Sequence, residues 1–159
     1  MKRGITFLLL LTFIFSTNAQ SQNEKEAVRT TIQNFFKGFH KGDTLLLKKT
    51  IHKDLYAQTT LVNAKGENIL SPSSKAYKNL INFAKNIKPT DNYFEKILSY
   101  TIHIDGNLAS VWTPYEFYVN EKFSHCGANS FQLFNNNGNW KIIYLIDTRK
   151  KTDCKISKK

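Results

Sequence analysis

LASVWTPYEFYV (Leu108–Val119), NEK, FSHCGANSFQLF (Phe123–Phe134), NNNG, NWKIIYLIDTR (Asn139–Arg149): this stretch decides the fold. Three runs rich in β-branched and aromatic residues alternate with short turns bearing Asn or Gly, the pattern of consecutive β-hairpins. A fourth run, Tyr93–Ile104, precedes them across Asp105-Gly106-Asn107. Alternation proposes a register. With Val119 facing Phe123 and Phe134 facing Asn139, one face collects Ala109, Val111, Thr113, Tyr115, Phe117, His125, Asn129, Phe131 and Leu133. Trp140, Ile142, Tyr144 and Ile146 join it across the next hairpin. That face is mostly apolar, as a half-buried sheet requires; a slip by one residue buries Glu116, Lys141 and Asp147 instead. A single bulge reverses part of such a register.

Upstream, the period changes from 2 to 3.6. Ser21 with Glu24 three residues on fits a capping box, and Val28, Ile32, Phe35, Phe36 and Phe39 recur at helical spacing until Gly42. Asp43 caps a second, short helix carrying Leu45, Leu46 and Leu47. Asp54 to Asn63 turns β-like, Lys65-Gly66 makes a turn, and Ile69-Leu70 forms a brief return strand. Ser71-Pro72 reads as a third helix start, with Tyr77, Leu80, Ile81, Ala84 and Ile87 as its buried stripe and Pro89 as its end. Helices followed by an antiparallel meander predict an α+β fold, the helices packing on the concave face of a curved, mostly antiparallel sheet.

The first 19 residues stand apart. Lys2 and Arg3 precede a nearly continuous apolar run, Ile5–Phe15, and Thr17 and Ala19 occupy the minus-three and minus-one positions of a cut after Ala19. This is the layout of a secretory signal peptide, and a run of about 11 apolar residues falls short of the roughly 20 that span a bilayer. The expected organisation is a signal peptide over 1–19, one domain over 20–154 and a basic tail over 155–159. The destination is secreted or periplasmic, with no stable membrane anchor after cleavage. The 159 residues carry 23 Lys and Arg against 12 Asp and Glu, a formal charge of +11. The lysines are scattered, dense only after Arg149, and an exported protein rarely meets nucleic acid, so no nucleic-acid partner is expected.

Glu26-Ala27-Val28, Phe35-Phe36-Lys37-Gly38-Phe39, Gly42-Asp43 and Leu46, with Ala109-Ser110-Val111-Trp112 and Gly138-Asn139-Trp140-Lys141-Ile142, resemble the nuclear-transport-factor-2-like superfamily. Its cone-shaped α+β domains include ketosteroid isomerase, scytalone dehydratase and polyketide cyclases. The chain looks like the putative lumazine-binding branch of small exported bacterial proteins over Glu24 to about Lys151. The resemblance implies a cavity between sheet and helices, and a homodimer paired through the convex face. Acid–base relatives keep a carboxylate or a His/Asp pair in that cavity. The concave set here holds His125, Asn129, Tyr115 and Tyr144, and no carboxylate.

His125 is the candidate catalytic residue, because an imidazole near neutral pKa shuttles protons; the competing reading is a core histidine with both nitrogens satisfied. Tyr115, Asn129, Tyr144 and Trp112 are the candidate ligand-binding residues, aromatics with polar tips suited to a flat heterocycle or hydrophobic molecule. Asp147 and Arg149 fall on the convex face with Ile143 and Leu145, a mixture suited to a dimer interface. His40, His52 and His103 lack metal-ligand spacing with Asp43 or Asp54, and no phosphate loop or nucleophile elbow occurs, so neither metal nor cofactor is expected. Cys126 and Cys154 are an even pair bound for an oxidising compartment and are expected to be joined. Two function classes stay open: a small-molecule-binding protein, and a cofactor-independent isomerase, dehydratase or hydrolase using His125. A protein-interaction module dimerising through the convex face is the remaining alternative.

Overall fold

Val28, Ile32, Phe35 and Phe36 are buried in the core, as their helical spacing requires. They lie on α1 (Gly4–Lys41) of the computed structural model, which describes the backbone of residues 4–73 and 75–154 and the side chains of residues 21–71 and 75–154. Ser21 therefore sits inside a helix and caps none. With no proline or glycine between Gly4 and Gly38, nothing in the sequence stops the helix there. Residues 1–3 and the side chains of the expected signal segment lie outside the described residues, as does the basic tail 155–159. Among the described residues no helix is long and apolar enough to cross a membrane.

Gly42 ends α1 at φ +65, and a Cβ there would stand 2.7 Å from the Ala84 carbonyl oxygen, so the tight turn against the third helix needs glycine. Asp43 caps α2 (Thr44–Thr50): its Oδ1 accepts from the amides of Leu45 at 3.0 Å and Leu46 at 2.9 Å. β1 (Ile51–Val62) and β2 (Asn68–Ser73) form an antiparallel ribbon. Ser71-Pro72 thus lies in β2 rather than opening a helix. β2 is the sheet's edge, the position in a sheet where a proline is tolerated. α3 begins later, at Ala76–Lys85, and ends short of Ile87.

The run Tyr93–Ile104 is two strands, β3 (Tyr93–Ile97) and β4 (Thr101–Asp105), both paired with β5 (Leu108–Val119). β6 (Lys122–Asn136) and β7 (Asn139–Arg149) complete a seven-stranded sheet, order β2-β1-β7-β6-β5-β3 with β4 also on β5. Every pairing is antiparallel except β1 with β7. Fully buried Phe131 marks the middle of the core, meeting Phe35 and Phe36 edge-on at 5.9 and 6.0 Å.

Along most of β5 and β6 the expected register holds: Ala109 faces Leu133, Val111 faces Phe131, Thr113 faces Asn129, Tyr115 faces Gly127 and Phe117 faces His125. A bulge after Phe117 brings Val119 to Lys122 instead of Phe123. The second hairpin departs further. Asn136, not Phe134, faces Asn139, and the register shifts again between Leu133–Ile142 and Gln132–Tyr144, leaving Ile143 as the extra residue. A one-residue bulge inverts the alternation beyond it. Trp140 and Ile142 keep the concave face, but past the bulge Leu145, Asp147 and Arg149 take it, and Tyr144 and Ile146 move to the other side.

Cys126 and Cys154 are joined. Cys126 pairs with Lys150, exchanging backbone hydrogen bonds of 2.9 and 2.8 Å, which brings the chain end back to β6.

Candidate functional site

A half-open cavity of about 500 Å³ lies between the concave sheet and the helices. Its apolar wall comes from Phe39 of α1, Leu80 and Phe83 of α3, Phe117 of β5 and Leu145 of β7; the Phe39 and Phe83 rings stack at 5.0 Å. Its polar end is built from four strands: Glu95 (β3), Tyr115 (β5), His125 (β6), and Asp147 with Arg149 (β7). Ala57 and Thr59 of β1 close the side next to β7.

Asp147, 8% exposed, is the hub of that end. Thr59 Oγ1 donates to its Oδ1 at 2.6 Å, while Tyr115 Oη at 3.2 Å and Arg149 Nε at 2.8 Å donate to its Oδ2. Tyr115 Oη also lies 2.8 Å from the Thr148 carbonyl oxygen. Burial, then the Asp147 charge, push the Tyr115 hydroxyl pKa up, so it stays a phenol. Gly127 makes this junction possible: a Cβ there would stand 1.8 Å from the Thr148 oxygen.

Glu95 lies across from Phe117 on β5. Its Oε1 accepts from Asn129 Nδ2 at 2.6 Å, and Asn129 Nδ2 stands 3.3 Å from Thr113 Oγ1. Burial pushes the Glu95 carboxyl up to about 8; the Asn129 hydrogen bond opposes that, the Asp147 charge adds to it and Arg149 opposes it. The Glu95 backbone N–H donates to His40 Nε2 at 2.8 Å, which ties β3 to the end of α1. Burial, with Lys41 nearby, lowers His40 to about 4, so the ring is a neutral acceptor.

His125 stands on the cavity wall, its ring 4.9 Å from Phe117 and 5.8 Å from Tyr115, with Ser124 Oγ 3.1 Å from Nδ1. Burial first, then Arg149, lower its pKa, which favours neutral imidazole at pH 7.

Of the residues singled out from sequence, Tyr115 and His125 line the cavity and buried Asn129 supports Glu95 from behind. Tyr144 stands outside: its ring stacks on Tyr56 at 6.1 Å and its hydroxyl donates to Gln58. Trp112, 49% exposed, pairs with Thr101 on the outer face. The Ile143 bulge likewise corrects three placements made for the convex face: Asp147, Arg149 and Leu145 all border the cavity. The cavity also holds two carboxyl groups where the expected concave set had none. Glu95 carries no motif of its own inside the run Tyr93–Ile104. The signal was its position between Tyr93 and Ile97, an acid on the inward phase of an alternating strand. Among the described residues no group of three or more His, Cys, Asp and Glu is placed to hold a metal ion.

Residues 23–144 match the family model described as "Putative lumazine-binding". Among curated proteins none matches the chain in sequence. Solved structures share the fold. The beta subunit of a putative aromatic-ring-hydroxylating dioxygenase from Novosphingobium aromaticivorans aligns with TM-score 0.65 at 11% identity, covering 86% of this chain and 94% of that one. A putative dehydratase of the NTF2-like family from Streptomyces avermitilis aligns with TM-score 0.59 at 10% identity, over 82% and 98%. An NTF2-like protein of unknown function from Shewanella baltica aligns with TM-score 0.55 at 16% identity, over 82% and 96%.

Proposed function

Since the chain belongs to the putative lumazine-binding family, within the nuclear-transport-factor-2-like superfamily, we propose that it is an exported small-molecule-binding protein. Its ligand is a small heterocyclic or hydrophobic compound held between sheet and helices. One observation carries this reading: a cavity of about 500 Å³, walled by phenylalanine and leucine, closes on a few convergent polar groups at one end. That combination is how small-molecule sites are built, burying an apolar body while orienting it by a few hydrogen bonds. The Cys126–Cys154 bond suits an oxidising compartment. Mass spectrometry of compounds released from natively purified protein tests the reading. A stoichiometric small molecule, lost when Leu80→Trp fills the cavity, is the expected result. Protein that carries nothing, and whose melting temperature no planar heterocycle raises, overturns it.

A second reading, cofactor-independent proton transfer on a small hydrophobic substrate, is favoured by the two carboxyl groups of the polar end. Glu95 holds its proton to about pH 8, while Asp147 accepts three hydrogen bonds a short way off. Carboxyl groups in such different surroundings are suited to separate acid and base roles. Turnover of a candidate substrate that survives both His125→Ala and Glu95→Gln removes this reading.

A further inference from the structure

The hydrogen bonds at the polar end of the cavity narrow the chemistry of what it binds. Asp147 already takes donors from Thr59 and Arg149 and has the Tyr115 hydroxyl 3.2 Å away, and a carboxylate offers only about four lone-pair positions. The single proton of Tyr115 is directed to Asp147 or to the Thr148 carbonyl. One oxygen of Glu95 takes Asn129. Two donors are among the groups left over. Arg149, whose side chain is about half exposed at the edge of the cavity, uses Nε on Asp147 and keeps its remaining guanidinium N–H groups, and Glu95 in its acid form has an O–H of its own. The stacked rings of Phe39 and Phe83, with Leu80, Phe117 and Leu145, supply no polar partner.

We propose that the compound taken by this cavity is a flat apolar body ending in an oxygen acceptor, a carbonyl or a carboxylate, received jointly by the Glu95 carboxylic acid and the Arg149 guanidinium. This rests on the cavity being a ligand site, as argued above. An acceptor satisfies the donors that a purely apolar guest would leave desolvated and unpaired, which is where polar sites gain their discrimination. Desolvation of its carboxyl keeps the required proton on half-buried Glu95 at neutral pH. The groups around it are Asp147 and Arg149 from β7, Tyr115 from β5, Asn129 from β6, Tyr100 just before β4, and His40 from α1. Asp147 favours the proton, Arg149 and Asn129 oppose it, and His40 is neutral. An ionised Glu95 repels an acceptor oxygen, so recognition of such ligands weakens as pH rises through about 8.

The test uses three naphthalenes of similar shape, 2-acetylnaphthalene, 2-naphthoate and 2-ethylnaphthalene, titrated against the full chain by fluorescence between pH 6.5 and 9.5. At pH 6.5 the acetyl or the carboxylate probe is expected to bind about tenfold or more tighter than the ethyl probe. Which of the two leads identifies the acceptor as a carbonyl or a carboxylate. The preference is expected to collapse by pH 9.5 in the wild type. In Glu95→Gln, whose amide N–H donates at every pH, it is expected to persist across the range, and in Glu95→Leu to be weaker and independent of pH. Equal binding of the three probes, or a preference unchanged with pH in the wild type, overturns this inference and leaves the cavity reading standing. Binding of none of them overturns both.

Discussion

Glu95→Gln isolates the energetic consequence of burying a carboxyl in the cavity. In an unfolded chain this glutamate titrates near 4.5; in the fold it titrates near 8. A group whose folded pKa is raised keeps its proton in the fold while the unfolded chain releases it. Its contribution is therefore fully favourable below about 4.5 and is lost progressively as pH rises toward 8. The whole displacement corresponds to about 5 kcal/mol, of which about 3 to 4 kcal/mol is lost between pH 5 and pH 8. Glutamine keeps an oxygen to accept from Asn129 and has no proton to lose, so the substitution removes the titration and little of the packing. His40 acts in the opposite sense: lowered from 6.5 to about 4, it stays neutral in the fold and costs stability as pH falls through that window. Subtracting the two proteins' unfolding free energies cancels the His40 contribution. Urea denaturation at pH 5, 6, 7 and 8 is the assay. The expected result is a wild type that loses stability relative to Glu95→Gln by about 3 kcal/mol over that interval. Curves that run parallel from pH 5 to pH 8 refute the reasoning, because they mean that Glu95 ionises at an ordinary pH.

Three further outcomes follow from the same geometry. Cys154→Ser opens a loop spanning 28 positions and is expected to cost about 3 to 4 kcal/mol in the chain-entropy account, read as a lower melting temperature, and to expose the bond after Lys150 to trypsin. Gly127→Ala drives a Cβ into the Thr148 carbonyl, a backbone atom that cannot swing aside, so a loss of about 3 kcal/mol or more in urea denaturation is expected, together with weakening of the Tyr115–Thr148 contact. Phe131→Ala empties the ring site between Phe35 and Phe36 and is expected to cost about 3 to 5 kcal/mol by the same measurement; a loss under about 1 kcal/mol means that this is not the core's centre.

Most of what depends on neighbours a few residues apart is legible before any fold is known. Helical spacing marked Val28, Ile32, Phe35 and Phe36 as the buried stripe, Gly42 ended α1, Asp43 capped α2, and alternation with turn residues located Leu108–Val119 and Asn139–Arg149. The register of β5 against β6 was legible from Ala109 to Phe117, where alternation matches the inward residues of both strands, but not beside the turn, where a bulge shifts it. Local signals failed at Ser71-Pro72, where the edge of the sheet accepted a proline that reads in isolation as a helix start. They failed again at Ile143, where β7 must pair with β6 on one side and run parallel to β1 on the other, and one residue is squeezed out of phase. That extra residue turned Asp147 and Arg149 inward and Tyr144 outward. The site is consequently a tertiary object: Asp147 meets Thr59 across 88 positions and Asn129 meets Glu95 across 34. Periodicity states which residues of a strand share a face; only packing against its neighbours decides which face becomes the inside.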